Sequence, residues 1–249
     1  SFNTAVPLPT GWAQQNLSAP IGTVPDWLQG VNTVFNSNSG APTAYIRANF
    51  NSVAGANTIS NWLFTPSVTI TNGDQFTFYT RTTTPGATVF PDRLQVRLST
   101  NGTSTNVGAT NASVGDFSTL LLDINPTYST TVYPSVWTQF TVTISGIPTP
   151  IAGRIAFRYF VEDGGPSGNN SDYIGIDDVV YTTFGSGCIG TPDPGNTIST
   201  AVTVCPNINF VLSLQNNTPG SGVTYQWQSS PDGTAWTNIA GATSATLTT

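Results

Sequence analysis

The chain has 249 residues, 38% of them hydrophobic, with 13 Phe, 8 Tyr and 6 Trp, enough for one large core and part of another. Only 7% are charged, the net charge is −6 and the pI is about 4.1, which argues against nucleic acid and anionic membrane surfaces as partners. His, Lys and Met are absent and all six cations are Arg, so Ser-His-Asp, Cys-His, Schiff-base and phosphate-loop lysine chemistries are excluded.

Ser1-Phe2-Asn3 reads as the start of a strand, which fits a mature chain whose signal peptide has been removed, and hence an extracellular or cell-surface location. No apolar run approaches the ~20 residues that span a bilayer. Short strand-like runs then recur, each fenced by Gly, Pro, Asn or Asp. Thr43 to Asn49 alternates. Trp62 to Thr71 contains a Pro suited to an edge or a strand entry, and Asn72-Gly73-Asp74 reads as a turn of the hairpin type. Gln75 to Thr83 places Phe76, Phe78 and Thr80 on one face. Arg93 to Ser99 sends Leu94, Val96 and Leu98 inward and Arg93, Gln95 and Arg97 outward. Trp137 to Ser145, Arg154 to Glu162 and Tyr173 to Thr182 complete the series. The expected fold is all-β, a jelly-roll β-sandwich over residues 1–184.

Residues 185–197 are rich in Gly and Pro and read as a linker. Over residues 198–249 a strand carrying Cys205 (Thr203 to Leu214), a strand carrying Trp227 (Val223 to Ser229), a turn at Pro231-Asp232-Gly233 and a strand from Thr243 suggest an incomplete immunoglobulin-like sandwich. Cys188 and Cys205 match no zinc spacing. They either pair with each other or seek cysteines beyond Thr249, and the sequence leaves both options open.

The one enzyme class these residues permit is carboxylate-only glycoside hydrolysis, with Glu162, Asp163, Asp172, Asp177 and Asp178 as candidates. Nothing in their spacing tunes two carboxylates apart, and the expectation is a protein without catalytic activity. The run from Glu162 to Asp178 is dense in carboxylates, amides and glycines, and hard oxygen ligands of this kind suit calcium. A calcium ion is expected at Asp177 or Asp178; the competing reading is a solvated polar loop. Adjacent strand residues point to opposite faces, so only one of the pair should face the interior. Trp12, Trp27, Trp62 and Trp137 are expected in the core, while Tyr79, Tyr128, Tyr133, Phe35 and Phe90 are the exposed candidates for ligand contact.

Four motifs carry a resemblance. Ser1-Phe2-Asn3 with Leu8-Pro9-Thr10-Gly11-Trp12, Asn61 to Pro66, Asp92 to Ser99, and Tyr173 to Val179 resemble, in order, segments of choice-of-anchor J domains, relatives of the cleaved adhesin and MAM-like jelly rolls. The tail from Cys188 to Thr243 resembles the immunoglobulin-like repeats of large Bacteroidetes surface proteins. The resemblance implies an exported surface module, often handled by type IX secretion, that is adhesive or ligand-binding. It also implies a structural calcium at the Asp177-Asp178 pair, with the acidic loop before the first core Trp reduced to Asp26. The resulting expectation is an extracellular adhesin or display module of a multidomain protein, with a glycan or protein ligand. A carbohydrate-binding module serving a polysaccharide-degrading enzyme is the alternative, and a structural spacer the third reading.

Overall fold

The computed structural model describes residues 2–3, 7–184, 193–215 and 223–249. The chain divides into two compact units, Ser1–Thr183 and Phe184–Thr249. In the first, the strands are β1 (Ala13–Asn16), β2 (Leu28–Gln29), β3 (Ile46–Asn49), β4 (Asn57–Phe64), β5 (Val68–Ile70) and β6 (Gln75–Thr82). They continue as β7 (Leu94–Ser99), β8 (Thr119–Ile124), β9 (Thr138–Thr143), β10 (Ile151–Gly164) and β11 (Tyr173–Thr182).

These strands form two antiparallel sheets, β1-β4-β10-β7-β8 with β5 added to β10, and β2-β3-β11-β6-β9. The chain crosses repeatedly between the sheets, only β2-β3, β4-β5 and β7-β8 following each other in the same one, as in a jelly roll. The inner faces follow the period of two. Leu94, Val96, Leu98, Phe157, Tyr159 and Val161 of one sheet and Ile46, Phe76, Phe78, Ile174 and Ile176 of the other are all buried in one core. The all-β expectation is met.

Three local readings change. Trp62 to Thr71 is two strands, because Pro66 has no N–H to give and the run breaks there. The turn at Asn72-Gly73 (Gly73 φ +89°) leads from β5 in one sheet to β6 in the other, so it is a corner and not a hairpin. Gln95 points outward as its parity requires, yet it is buried, because residues 100–118 fold back over this face. Beneath them Trp62, Phe64, Val107, Phe117 and Ala156 form a second small core.

In the second unit, β12 (Asn196–Ser199), β13 (Val211–Gln215) and β16 (Thr246–Thr248) form a three-stranded sheet, with β14 (Gln228–Ser229) and β15 (Thr237–Asn238) as a separate pair. Asn196 and Thr197, read as linker, belong to β12. Among the described residues of this unit only Trp227 and Ala242 are buried hydrophobics. Cys205 is exposed in the turn before β13, outside any strand, unlike the core cysteine of an immunoglobulin-like sheet. Cys188 lies outside the described residues, and with it the question of pairing.

Candidate functional site

The first unit contains a cleft of about 330 Å³, walled on one side by the segment Thr82–Asp92 and on the other by Ser129–Ser135, with Asp172 between them. Both walls are tied to the sandwich by groups that sequence order keeps far apart. Buried Asn125 adopts a left-handed backbone (φ 62°) and its amide donates to the carbonyls of Asp92 and Ser129, at 2.9 Å each. Its oxygen accepts from the Ser129 N–H at 2.8 Å. A further backbone bond runs from Thr82 N–H to Pro134 O at 2.7 Å. One amide therefore fixes the distance between the two walls.

Asp92 sits at the base of the cleft, completely buried. One carboxylate oxygen accepts from the Tyr159 hydroxyl (2.5 Å) and the Asp172 N–H (2.9 Å), the other from the Thr82 hydroxyl (2.5 Å). Burial pushes its pKa up to about 6, against the pull of these three donors, and the neighbouring Asp172 charge adds to the rise. Burial also raises the Tyr133 and Tyr159 hydroxyls well above the ordinary tyrosine value. Half-buried Asp172 accepts the Thr83 hydroxyl on Oδ2 at 2.5 Å. Among the described residues no arginine lines the cleft, whose other polar side chains are Thr, Ser and Tyr133 hydroxyls, and Phe90 stands 40% exposed at its rim.

Asp177 and Asp178 lie elsewhere. The expected opposite facing fails because a bulge between Asp177 and Val180, with Asp178 at φ 45°, breaks the alternation of β11. Both carboxylates consequently meet the same loop. Asp177 accepts from the N–H groups of Asn38 (3.0 Å), Ser39 (3.2 Å) and Asp178 (2.8 Å). Asp178 accepts from the Asn38 amide (2.9 Å) and the Ser39 hydroxyl (2.7 Å). Burial raises the pKa of Asp177 despite its backbone donors. For Asp178 burial pushes upward, but the Ser39 and Asn38 donors are among the interactions that outweigh it, and the net shift is downward.

The donor set of this pair does not suit calcium, which needs about six to eight oxygens. Asp177 is faced by N–H groups, which repel a cation, and among the described residues no three acidic, Cys or His side chains converge on a point. Exposed Asp26 precedes β2 at the end of the sheet where Tyr173 begins β11, more than ~10 Å from Asp177 on strand spacing. Asp177 and Asp178 are thus brought together as a clamp on residues 38–39, and Asp26 is not part of it.

The hydrolase candidates do not assemble. Glu162 is exposed on the outer face of β10, against Tyr128 (3.3 Å) and Arg93 (3.5 Å), and exposed Asp163 accepts from Asn169 at 2.6 Å. Only Asp172 of that set reaches the cleft. Trp27 and Trp62 are core residues, Trp12 packs partly buried against the main core, and Trp137 belongs to an outer-face group with Phe35, Tyr45 and Tyr173. Those rings pack over Gly175, where a Cβ would fall 2.8 Å from Trp137 and 2.9 Å from Phe35. Of the aromatics expected at the surface, Tyr133 and Phe35 are buried, Tyr79 and Tyr128 are half-buried, and Phe90 is exposed.

The fold and the cleft together define a jelly-roll β-sandwich with a cleft of mixed polar and apolar lining that carries, among the described residues, two carboxylates and no arginine. Among solved structures, similarity extends to the K1 cleaved adhesin domain of Lys-gingipain from Porphyromonas gingivalis W83, at 20% identity and a TM-score of 0.46 over 72% of this chain and 94% of that one. The K2 domain of the same protein gives 18%, 0.44, 71% and 90%. The carbohydrate-binding module TmCBM61, solved with β-1,4-galactotriose, gives 13%, 0.35, 69% and 88%. Residues 194–249 match a family described as a domain of unknown function, DUF8696. No curated protein matches the chain.

Proposed function

We propose that the first unit is a non-catalytic, ligand-binding module of the adhesin type, acting outside the cell, and that the cleft between Thr82–Asp92 and Ser129–Ser135 holds its glycan or protein ligand. The observation that carries this reading is the build of the cleft. Both walls are pinned through Asn125, Asp92 is held by three donors, and yet Asp172 and Phe90 remain accessible at the opening. Preformed concave sites with a few placed polar groups are where ligands bind. Asp92 is completely buried and both of its oxygens are engaged by protein donors, so it supports the cleft from beneath and does not reach a ligand. The second unit is proposed as an immunoglobulin-like spacer.

A carbohydrate-binding module is the alternative, and it too uses the cleft. The outer-face aromatics offer no planar row, since Phe35 meets Trp137 and Tyr173 edge-on at 87° and 90°. The test is binding of the full chain to an array of glycans and extracellular-matrix proteins. Phe90→Ala and Asp172→Asn are each expected to weaken every specific signal at least tenfold. Undiminished binding by both variants removes the cleft from the function.

Against the calcium expected from the sequence at Asp177, Asp178 and Asp26, we propose that the Asp177-Asp178 pair serves as a clamp on residues 38–39, a reading with its own check. On the clamp geometry, the melting temperature of the first unit should be the same in calcium and in chelator, and Asp178→Ala should lower it in both by a similar few degrees. A chelator-sensitive melt that Asp178→Ala abolishes would restore the metal site.

A further inference from the structure

Resting on the cleft as the binding site, the chemistry of its lining narrows the ligand class. Asp92 and Asp172 are the charged lining residues, and neither forms an ion pair among the described residues. An anionic group entering here would meet two carboxylates and no lining arginine, the Arg81 guanidinium behind the wall being turned to the Thr82 and Ser135 carbonyls (3.1 and 2.5 Å), in a chain whose net charge is already −6. The other polar side chains of the lining are all hydroxyls, those of Tyr133 and of the Thr and Ser residues of the two walls, groups that both donate and accept.

Asp172 accepts the Thr83 hydroxyl on Oδ2, while among the described residues no hydrogen bond engages Oδ1. A carboxylate oxygen of a cleft-lining residue is an acceptor for a ligand hydroxyl, and hydrogen bonds to carboxylates are among the stronger ones. Phe90, 40% exposed at the rim beside Val89 and Pro91, offers the apolar face that a sugar ring covers. A volume of about 330 Å³ is at the small end of ligand sites, which suits one or two rings and not a folded partner.

We propose that the cleft binds a neutral sugar, a terminal residue or a short run of residues, and that Asp172, supported by Asp92, excludes uronates and sulfated sugars. Asp172 accepts from the sugar directly. Asp92 is a positioning residue, since it accepts the Asp172 N–H at 2.9 Å and so fixes where that carboxylate stands.

The test is calorimetric titration of the full chain with β-1,4-galactotriose, cellotriose, mannotriose, trigalacturonate, the glucosamine trimer and a lysine-bearing tripeptide. The expected result is binding of at least one neutral trisaccharide, none of trigalacturonate, and a loss of at least tenfold with Asp172→Asn. Asp92→Asn should weaken the same sugar less, with the stoichiometry unchanged. Preferential binding of trigalacturonate overturns the proposal. Selective binding of the amine or the tripeptide, abolished by Asp172→Asn, overturns the sugar assignment and leaves the cleft as the site. A neutral sugar bound equally by wild type, Asp172→Asn and Phe90→Ala does the reverse. Binding of none of the probes overturns the sugar assignment, and the matrix-protein arm of the array then decides on the cleft alone.

Discussion

Replacing Asp92 with Asn should flatten the dependence of stability on pH between about pH 4 and pH 7. The folded carboxyl titrates at about 6 against a reference of 3.8, so in that window the folded state binds more protons than the unfolded one. Stability therefore falls as pH rises, is greatest below the unfolded pKa, and loses roughly 2–3 kcal/mol by pH 7. Asn keeps an oxygen for Tyr159 and the Asp172 N–H and presents an amide to Thr82, whose hydroxyl is already within 3.1 Å of the Tyr173 carbonyl. Relative to wild type, the variant should gain about 2 kcal/mol between pH 4 and pH 7 in denaturant titrations. Parallel curves for the two proteins would show that Asp92 does not carry its charge at a cost.

The second large effect is expected at Arg158. This guanidinium is only 2% exposed and stacks on Phe160 at 3.9 Å and on Trp62 at 4.8 Å. It donates to Ser60 Oγ at 3.1 Å and to the Asn111 carbonyl, so it also fastens the segment that covers the outer face. Burial lowers its pKa to about 9, the charges of Arg97 and Arg93 adding to the fall. Arg158→Ala opens a cavity beside Trp62 and leaves the Asn111 carbonyl without its donor, a combined cost of roughly 3–5 kcal/mol. Arg158→Met keeps most of the stem volume, removes a buried charge, and should cost about half as much. A loss under about 1 kcal/mol for the alanine variant would mean that residues 100–118 are held by other contacts.

The inner faces of the sandwich were legible because alternation of apolar residues in β6, β7, β10 and β11 is a local pattern. The strands β1 and β8 were not. Ala13–Asn16 is largely polar and pairs along an edge, and Thr119–Ile124 carries three consecutive leucines, so neither alternates. The candidate site was less legible than the fold. Asp92 stands before a strand, where a carboxylate ordinarily meets solvent, and its burial comes from Tyr159 and Asp172, 67 and 80 residues away. Asp172 was noticed as an acid and Phe90 as an exposed aromatic, but nothing local says that they share a cleft. At Asp177-Asp178 the local rule of opposite faces misled, because a bulge cannot be seen in the pattern that it interrupts.

The central claim is that the cleft is where this protein meets its ligand, and closing it tests that claim most directly. Thr131 is exposed on one wall, so Thr131→Trp should fill the opening without touching the core. The decisive measurement is binding of wild type and Thr131→Trp to the same glycan and matrix-protein array, with melting temperatures recorded in parallel. The account predicts that the variant melts within about 2 °C of wild type, as expected for a surface change of under ~0.5 kcal/mol, and loses every specific signal. A folded Thr131→Trp protein that still binds as wild type does would contradict it.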